Sequence, residues 1–177
     1  MIKIEEFMQL KAFARVDALM LTALWTVSFV CVMMLGAGVV GNLLAMATPF
    51  FIGWRTCLFR NNVLSGHISM RRAYAYSLYN FIYASLAFAL VQFLYFRFMD
   101  NGGFAGVLTD TMKTMAPVYE QNGISRAELK QNIDMLAQLT PIQWAFIFMM
   151  QNFFLGVLAS LPIALVCRRK EKQQDTE

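Results

Sequence analysis

Residues 18–35 read ALMLTALWTVSFVCVMML and contain no charged side chain. This run is close to the roughly 20 residues that an α-helix needs to cross about 30 Å of hydrocarbon. The chain has no Asp or Glu from Ala18 to Met99. A carboxylate at the centre of a membrane helix costs about 2.5–3.5 kcal/mol on insertion scales, so this part of the chain is predicted to lie in a bilayer.

The composition of the whole chain agrees with this prediction. Apolar residues make up 58% and charged residues 15% of the 177 residues, whereas soluble domains have roughly 45–50% and about 25%. The net charge of +4 accompanies no nucleic-acid-binding motif, and the basic residues lie beside the apolar stretches. We therefore expect membrane lipid, and no nucleic acid, as the chain's surroundings.

Four apolar stretches are predicted to span the membrane. They cover residues 18–36, 39–59, 73–99 and 141–166. Pro49 is expected to kink the second helix. We predict an all-α fold, an integral membrane bundle of four transmembrane helices that forms one domain over residues 1–177.

The segment of about residues 100–140 is predicted to be a short extracytoplasmic helical hairpin between helices three and four. Ser125 and Glu128 have the spacing of a capping box, which begins a helix at about Arg126. Asn122-Gly123 is a turn signal before it. A partner helix over residues 106–121 is expected, although Pro117 disfavours it.

Lys and Arg predict the orientation. Eleven of the fifteen lie in the two termini or in and beside the loop between helices two and three, which places both termini, including the tail 167–177, in the cytoplasm. We interpret Arg55 as a helix-end side chain that extends to the interface. Asp17 is interpreted as an acid before the first span. The aromatic belt at the cytoplasmic end of helix three is predicted from Tyr74, Tyr76, Tyr79 and Tyr83. The eleven residues are Lys3, Lys11, Arg15, Arg55, Arg60, Arg71, Arg72, Arg168, Arg169, Lys170 and Lys172.

No set of residues predicts catalysis, a metal site or a cofactor. The three cysteines are scattered without a CxxC pair, and His67 is the only histidine; core packing and an exposed loop are the simplest interpretations. Gly36, Gly38 and Gly41 satisfy the pattern GxGxxG, but they join two membrane helices and no acid follows at the required distance. We interpret these glycines as helix-packing residues.

A second group of small residues, Gly156, Ser160 and Ala164, repeats every four positions in the fourth span. Such a stripe lets another helix approach closely, either within the chain or from a second copy. Polar side chains within the spans either hold helices together or line a path for a solute, and the absence of an ionisable residue at mid-depth favours the first interpretation. These residues are Asn80, Gln92, Gln151 and Asn152.

Two short sequences resemble a known family. They are VLSGHIS at residues 63–69 and YFRFMD at residues 95–100, and the fourth span with its Arg168-Arg169 end supports them. The chain is similar here to the bacterial four-helix membrane family catalogued as domain of unknown function 4199. This resemblance covers about residues 60–170 and the plan of the first hairpin. It implies a bacterial inner-membrane protein, and it brings no catalytic residues.

Three functions remain open from the sequence. The first is a non-enzymatic accessory or assembly component that acts through helix packing, as a homo-oligomer or with another membrane protein. The second is a small transporter or channel subunit. The third is a membrane-embedded enzyme that acts on lipid, with His67 or the acids of the outer segment as its site.

Overall fold

The computed structural model describes residues 4–121, 123 and 125–169, with side chains from Phe7 onward. These residues form α-helices and one isolated pair of extended residues. The all-α prediction is therefore confirmed for the part of the chain that the structure describes. Residues used above that lie outside it are Lys3, Asn122, Lys170 and Lys172.

Eight helices occur among the described residues. They are α1 (Ile4–Met33), α2 (Gly38–Met46), α3 (Thr48–Val63), α4 (Met70–Phe98), α5 (Gly103–Thr114), α6 (Ala116–Gln121), α7 (Arg126–Ala137) and α8 (Pro141–Cys167).

Three stretches are long and apolar enough to cross a membrane: Phe7–Met33, Met70–Phe98 and Pro141–Cys167, with mean hydropathies of 1.9, 1.6 and 1.8. The chain is thus a membrane protein with three candidate spans. The predicted second span consists of two shorter helices, α2 and α3. Pro49 lies in the first turn of α3, where its missing N–H has least effect, so the chain changes from one helix to the next just before it.

Helix α1 begins fourteen residues before the predicted first span. No Gly or Pro interrupts residues 4–33, so nothing in the backbone stops the helix at the edge of the apolar run. Leu10 and Ala14 are completely buried in this extension. The extension therefore belongs to the packed core.

The chain divides into two compact units, which are described separately. The first unit contains Met1–Phe88 and Met149–Glu177. Its core includes Ala14, Phe59, Tyr76 and Ala164, which come from four helices. The ring of Phe59 stacks on that of Tyr76 with centroids 4.2 Å apart.

A close contact joins α1 and α2 in the first unit. The Ser28 hydroxyl donates a hydrogen bond of 2.7 Å to the carbonyl of Gly41. A Cβ atom at Gly41 would lie 2.5 Å from Val32 Cγ2, so only glycine fits here without displacement of α1. At Gly36, the positive φ of 62° suits the reversal between the two helices.

The loop between α3 and α4 contains the sequence with the sharpest family resemblance. Gly66 has a φ of 85°, and Ile68 is buried. Ile68 exchanges two backbone hydrogen bonds of 3.0 Å with Arg169, which fixes the loop to the end of α8. The Ser69 hydroxyl accepts a hydrogen bond from the Arg72 N–H at the start of α4. Each of these residues therefore has a structural role in the turn.

The second unit is Ala89–Phe148. Four aromatic rings pack together in it, from Phe96, Phe104, Trp144 and Phe148. Helix α7 contacts α5 and α6. The predicted partner helix over residues 106–121 is two helices, α5 and α6, separated at Met115.

The predicted capping box at the start of α7 is confirmed. The Ser125 hydroxyl accepts from the Glu128 N–H at 3.2 Å, and the Ser125 N–H donates to Glu128 Oε2 at 2.9 Å. The Ser125 N–H and the Ser125 hydroxyl both donate to the Glu128 carboxylate, and these two hydrogen bonds hold the pKa of Glu128 below its ordinary value.

Candidate functional site

An ionised pair lies inside the first unit. Asp17 is 2% exposed, and its two carboxylate oxygens accept hydrogen bonds from the Arg55 guanidinium and the Tyr76 hydroxyl. Tyr76 is 1% exposed. We call Asp17, Arg55 and Tyr76 the polar cluster.

Three helices bring the polar cluster together. Asp17 lies on the face of α1 that also carries Leu10, Ala14 and Leu21, all completely buried. Residues at these spacings of three and four share one side of a helix. The burial of Asp17 therefore follows from its register with apolar neighbours rather than from its distance to the end of the helix.

The structure corrects three sequence interpretations at this site. Asp17 is inside α1, Arg55 pairs with Asp17, and Tyr76 is in the core instead of an interfacial belt. Each residue type usually lies at the membrane boundary, but a buried charge is tolerated where a partner neutralises it and fills its hydrogen bonds. The periodicity of residues 10, 14, 17 and 21 was the signal in the sequence.

A small cavity of about 100 Å³ opens beside the polar cluster. Since a water molecule occupies about 30 Å³ of the liquid, this cavity has room for a few waters. Arg55 Nε is buried and has no hydrogen-bond partner among the described residues. The site can therefore hold water or a small hydrogen-bonding solute next to a neutral ion pair. Its lining residues are Phe13, Asp17, Arg55, Leu58, Phe59, Asn62, Val63 and Tyr76.

Further polar groups follow on α4. Asn80 is completely buried and donates a hydrogen bond of 2.9 Å to the Tyr76 carbonyl. In the described chain, neither Asn80 Oδ1 nor the buried Ser85 hydroxyl has a partner. Tyr76 and Ser85 are separated by about 13 Å along the helix, at about 1.5 Å per residue. Buried polar atoms of this kind are commonly satisfied by ordered water.

Gln92 is farther along α4, in the second unit, and is 3% exposed. Its Oε1 atom also has no partner in the described chain. It therefore needs a hydrogen-bond donor such as water within its own surroundings.

The predicted small-residue stripe of α8 faces the interior of the first unit. Ser160 and Ala164 are completely buried, and the Ser160 hydroxyl donates to the Gly156 carbonyl at 2.7 Å. A Cβ atom at Gly156 would lie 2.5 Å from Cβ of Phe81 on α4. The sequence left open whether the stripe packs within the chain or against a second copy, and this contact lies within the chain. Gly38, by contrast, has open space where a Cβ would lie.

The opposite face of α8 is apolar and exposed, with one polar exception. Phe154, Leu155 and Leu158 are more than half exposed, and Gln151 is exposed among them. Asn152 is half-buried. Gln151 therefore presents a primary amide on a surface that otherwise suits hydrocarbon.

Two of the cysteines, interpreted as scattered, lie in contact. Cys57 Sγ of α3 is 3.1 Å from Cys167 Sγ at the end of α8. The sequence contains no spacing signal for this pair, because 110 residues separate its members.

Three of the acids that the sequence places between the third and fourth spans have local structural partners. Asp100 accepts hydrogen bonds from the Phe104 N–H at the start of α5, and Glu120 pairs with Arg126. Asp110 pairs with Lys113 at 3.6 Å. His67 is exposed in the loop before α4. Within the described residues, no three His, Cys, Asp or Glu side chains form a group that could hold a metal ion.

Comparison with known proteins gives a family and no activity. No curated protein and no solved structure matches the chain. Residues 17–169 match the family described as protein of unknown function (DUF4199), which agrees with the resemblance noted in the loop and the third span. Since this match includes Asp17 at one end and Arg169 at the other, and covers most of the chain, the protein belongs to the DUF4199 family.

Proposed function

We propose that this chain is a four-span protein of a bacterial inner membrane, with both termini in the cytoplasm. In this topology α2 and α3 together form the second span. Twenty-six residues from Gly38 to Val63 would reach about 39 Å as one helix, which is more than the roughly 30 Å of hydrocarbon. Cysteine-accessibility labelling of intact cells tests this. Labels at residues 36 and 62 should react from opposite sides of the membrane, and so should labels at residues 62 and 110.

We propose that the protein acts without catalysis, as an accessory or assembly component that binds another membrane helix through α8. The observation that supports this is Gln151, an exposed amide on an apolar face. Gln151 lies ten residues, or about 15 Å, from the start of α8 and about 24 Å from its end. If the helix is centred in the bilayer, the amide lies within about 5 Å of the midplane.

An amide at that depth requires a hydrogen-bond partner. An unpaired amide in hydrocarbon costs several kcal/mol, and a glutamine side chain is too short to reach the interface from the midplane. A hydrogen bond to a polar group on a neighbouring helix removes this cost, and such bonds contribute roughly 0.6–2 kcal/mol to helix association. Lipid tails can pack against the apolar neighbours of Gln151, but they cannot hydrogen-bond to its amide.

The experiment is purification from native membranes in mild detergent, followed by native mass spectrometry. We expect a stoichiometric complex that Gln151→Leu dissociates at least several-fold. The same substitution at Gln131, which is exposed on α7, is the control and should leave the complex intact. A monomer in the wild type, or equal complexes in both variants, would refute the role of this face.

The transporter or channel subunit is a second candidate, and the polar cluster favours it. An ion pair, a cavity of about 100 Å³ and unpartnered oxygens on Asn80 and Ser85 lie within one unit. Waters at these atoms would connect the polar cluster with the interior of the bundle. Ionisable groups inside spanning segments often mark proton or ion pathways.

Proton flux into liposomes, followed with a pH-sensitive dye, tests this second function. Flux above that of empty liposomes is expected, and Asn80→Leu should abolish it. Gln151→Leu should leave it unchanged, because that side chain is on the outer face. Proton flux equal to that of empty liposomes would count against this candidate and leave the accessory role in place.

A further inference from the structure

The two contacting thiols belong to neither proposed function. Their sulfur atoms are 3.1 Å apart, about 1 Å more than the S–S bond length of about 2.05 Å. Cys167 also contacts the Gly53 carbonyl, with 3.3 Å from sulfur to oxygen. Both thiols therefore lie between α3 and the last turn of α8.

Hydrogen bonds already fix the backbone on both sides of this pair. Arg60 Nη1 donates to the Cys167 carbonyl at 2.9 Å, and the next residues of the chain continue to the pairing of Arg169 with Ile68. The two thiols are thus held together by contacts that do not involve sulfur. Such an arrangement gives each thiol a high effective concentration at the other.

The pair lies where aqueous reagents can reach it. Cys57 is half-buried while Cys167 is buried. Cys167 ends α8 and is followed by the exposed Arg168 and Arg169. Three arginines near the pair indicate the level of the membrane interface, namely Arg60, Arg168 and Arg169.

We propose that Cys57 and Cys167 are a modification site that closes to a reversible disulfide when it meets a small-molecule disulfide. The Cys57 thiolate attacks one sulfur of the reagent, forms a mixed disulfide and releases one reagent thiolate. The Cys167 thiolate then attacks Cys57 Sγ and releases the second. The two cysteine thiols are oxidised, the reagent is reduced to two thiols, and the two protons go to these leaving groups.

This bond would connect α3 to the last turn of α8, which already lie in contact at the two sulfur atoms. It would also close a loop of more than 100 residues, which restricts the unfolded chain and raises stability. In the cytoplasmic orientation proposed above, the pair would be reduced under ordinary conditions and close only under oxidising ones. The chemistry itself depends on neither proposed function.

The test uses the full chain in lipid nanodiscs, treated with oxidised glutathione. Free thiols are then labelled with a maleimide after unfolding and located by peptide mass spectrometry. Of the three cysteines, we expect only Cys31 to be labelled. The unlabelled chain should lose the mass of two hydrogens, and its thermal unfolding midpoint should rise. Reduced glutathione should reverse both changes.

Single substitutions distinguish formation of the Cys57–Cys167 disulfide from reaction of one thiol with the reagent. Cys167→Ser should stop at one glutathione adduct on Cys57, while Cys31→Ser should close like the wild type. Labelling of all three cysteines in the treated wild type would overturn the proposal. A stable glutathione adduct on wild-type Cys57 would also overturn it, since Cys167 would then fail to complete the exchange.

Discussion

Two arginine–carboxylate pairs in this protein join the same chemical groups in opposite surroundings. Arg55 and Asp17, in the first unit, have side chains 21% and 3% exposed. Arg126 and Glu120, in the second unit, have side chains 86% and 34% exposed. The first pair loses much of its hydration when the chain folds, whereas the second keeps it. Burial therefore decides which of the two pairs the fold depends on.

The surroundings of the two pairs differ in the same way. Asp17 is on a face of α1 that packs against several helices. In contrast, α5 and α6 bury none of their described residues, and α7 buries only Leu129. Helices α5, α6 and α7 are thus stabilised mainly by short-range interactions such as caps, and they should respond weakly to the loss of any one contact.

The largest loss of stability is expected when the buried pair, Asp17 and Arg55, is broken. Asp17→Ala leaves the Arg55 charge without its partner in the interior, and breaking a buried pair in this way costs about 3–5 kcal/mol. Unfolding of the detergent-solubilised protein, followed by circular dichroism, measures the change. The double variant Asp17→Leu with Arg55→Leu should recover much of the loss, because it removes both charges. A single variant as stable as the wild type would show that the pair is not buried as described.

The next effect concerns close packing in the same unit. Gly156→Ala places a Cβ atom 2.5 Å from Phe81 Cβ and Cγ, and Phe81 Cβ cannot move without α4. We expect a loss of about 1–3 kcal/mol, as for other overpacked positions. Gly53→Ala is the matched control, since its Cβ would meet no atom within 4 Å. Equal stability of the two variants would contradict the close approach of α8 to α4.

The features that could be predicted from the sequence are those set by neighbouring residues. Ser125 and Glu128 are three positions apart, so the capping box is visible in the sequence and occurs in the structure. The third and fourth spans are continuous apolar runs, and their helices begin and end within three residues of the predicted bounds. Pro141 begins α8 as expected, because its fixed φ suits the first helical position.

The polar cluster and the thiol pair could not be predicted in this way. Asp17 and Arg55 are 38 residues apart and lie on different helices, so only the packing of α1 on α3 brings them together. The usual preference of charged side chains for the interface predicted the opposite for both. The burial of Asp17 could have been found from its heptad spacing to Leu10, Ala14 and Leu21. The identity of its partner, Arg55, could not be found in this way, because Arg55 lies on a second helix.

A smaller effect is expected at the cap of α7. Ser125→Ala removes the acceptor for the Glu128 N–H and should cost about 0.5–2 kcal/mol of local helix stability. Hydrogen exchange of the amides in Arg126–Ala137 measures it, with Ser65→Ala in the other unit as a control that leaves these amides unchanged. Unaltered exchange in Ser125→Ala would contradict the importance of the cap.

The same cap gives α7 a defined pH dependence. Since the pKa of Glu128 is lowered in the folded state, its carboxylate stabilises the helix at pH values above its unfolded pKa of about 4.3. This contribution should disappear as the pH falls through the lower, folded pKa. Glu128→Gln should remove the pH dependence, so that hydrogen exchange of α7, corrected for the intrinsic rate, no longer changes across this range.

The smallest effect is predicted for the exposed pair, and it completes the contrast with Asp17 and Arg55. Glu120→Gln removes a charge that water solvates well even without Arg126, and exposed ion pairs often contribute nothing measurable. We expect the unfolding transition of this variant to coincide with that of the wild type at physiological salt. Added salt should also leave the stability of the wild type unchanged. Salt screens exposed charges far more than buried ones, and the exposed pair contributes little that could be screened. A loss of stability comparable with that of Asp17→Ala would mean that lipid or a partner protein covers Glu120 and Arg126. The fold would then depend on this pair as well, although both side chains have solvent contact in the isolated chain.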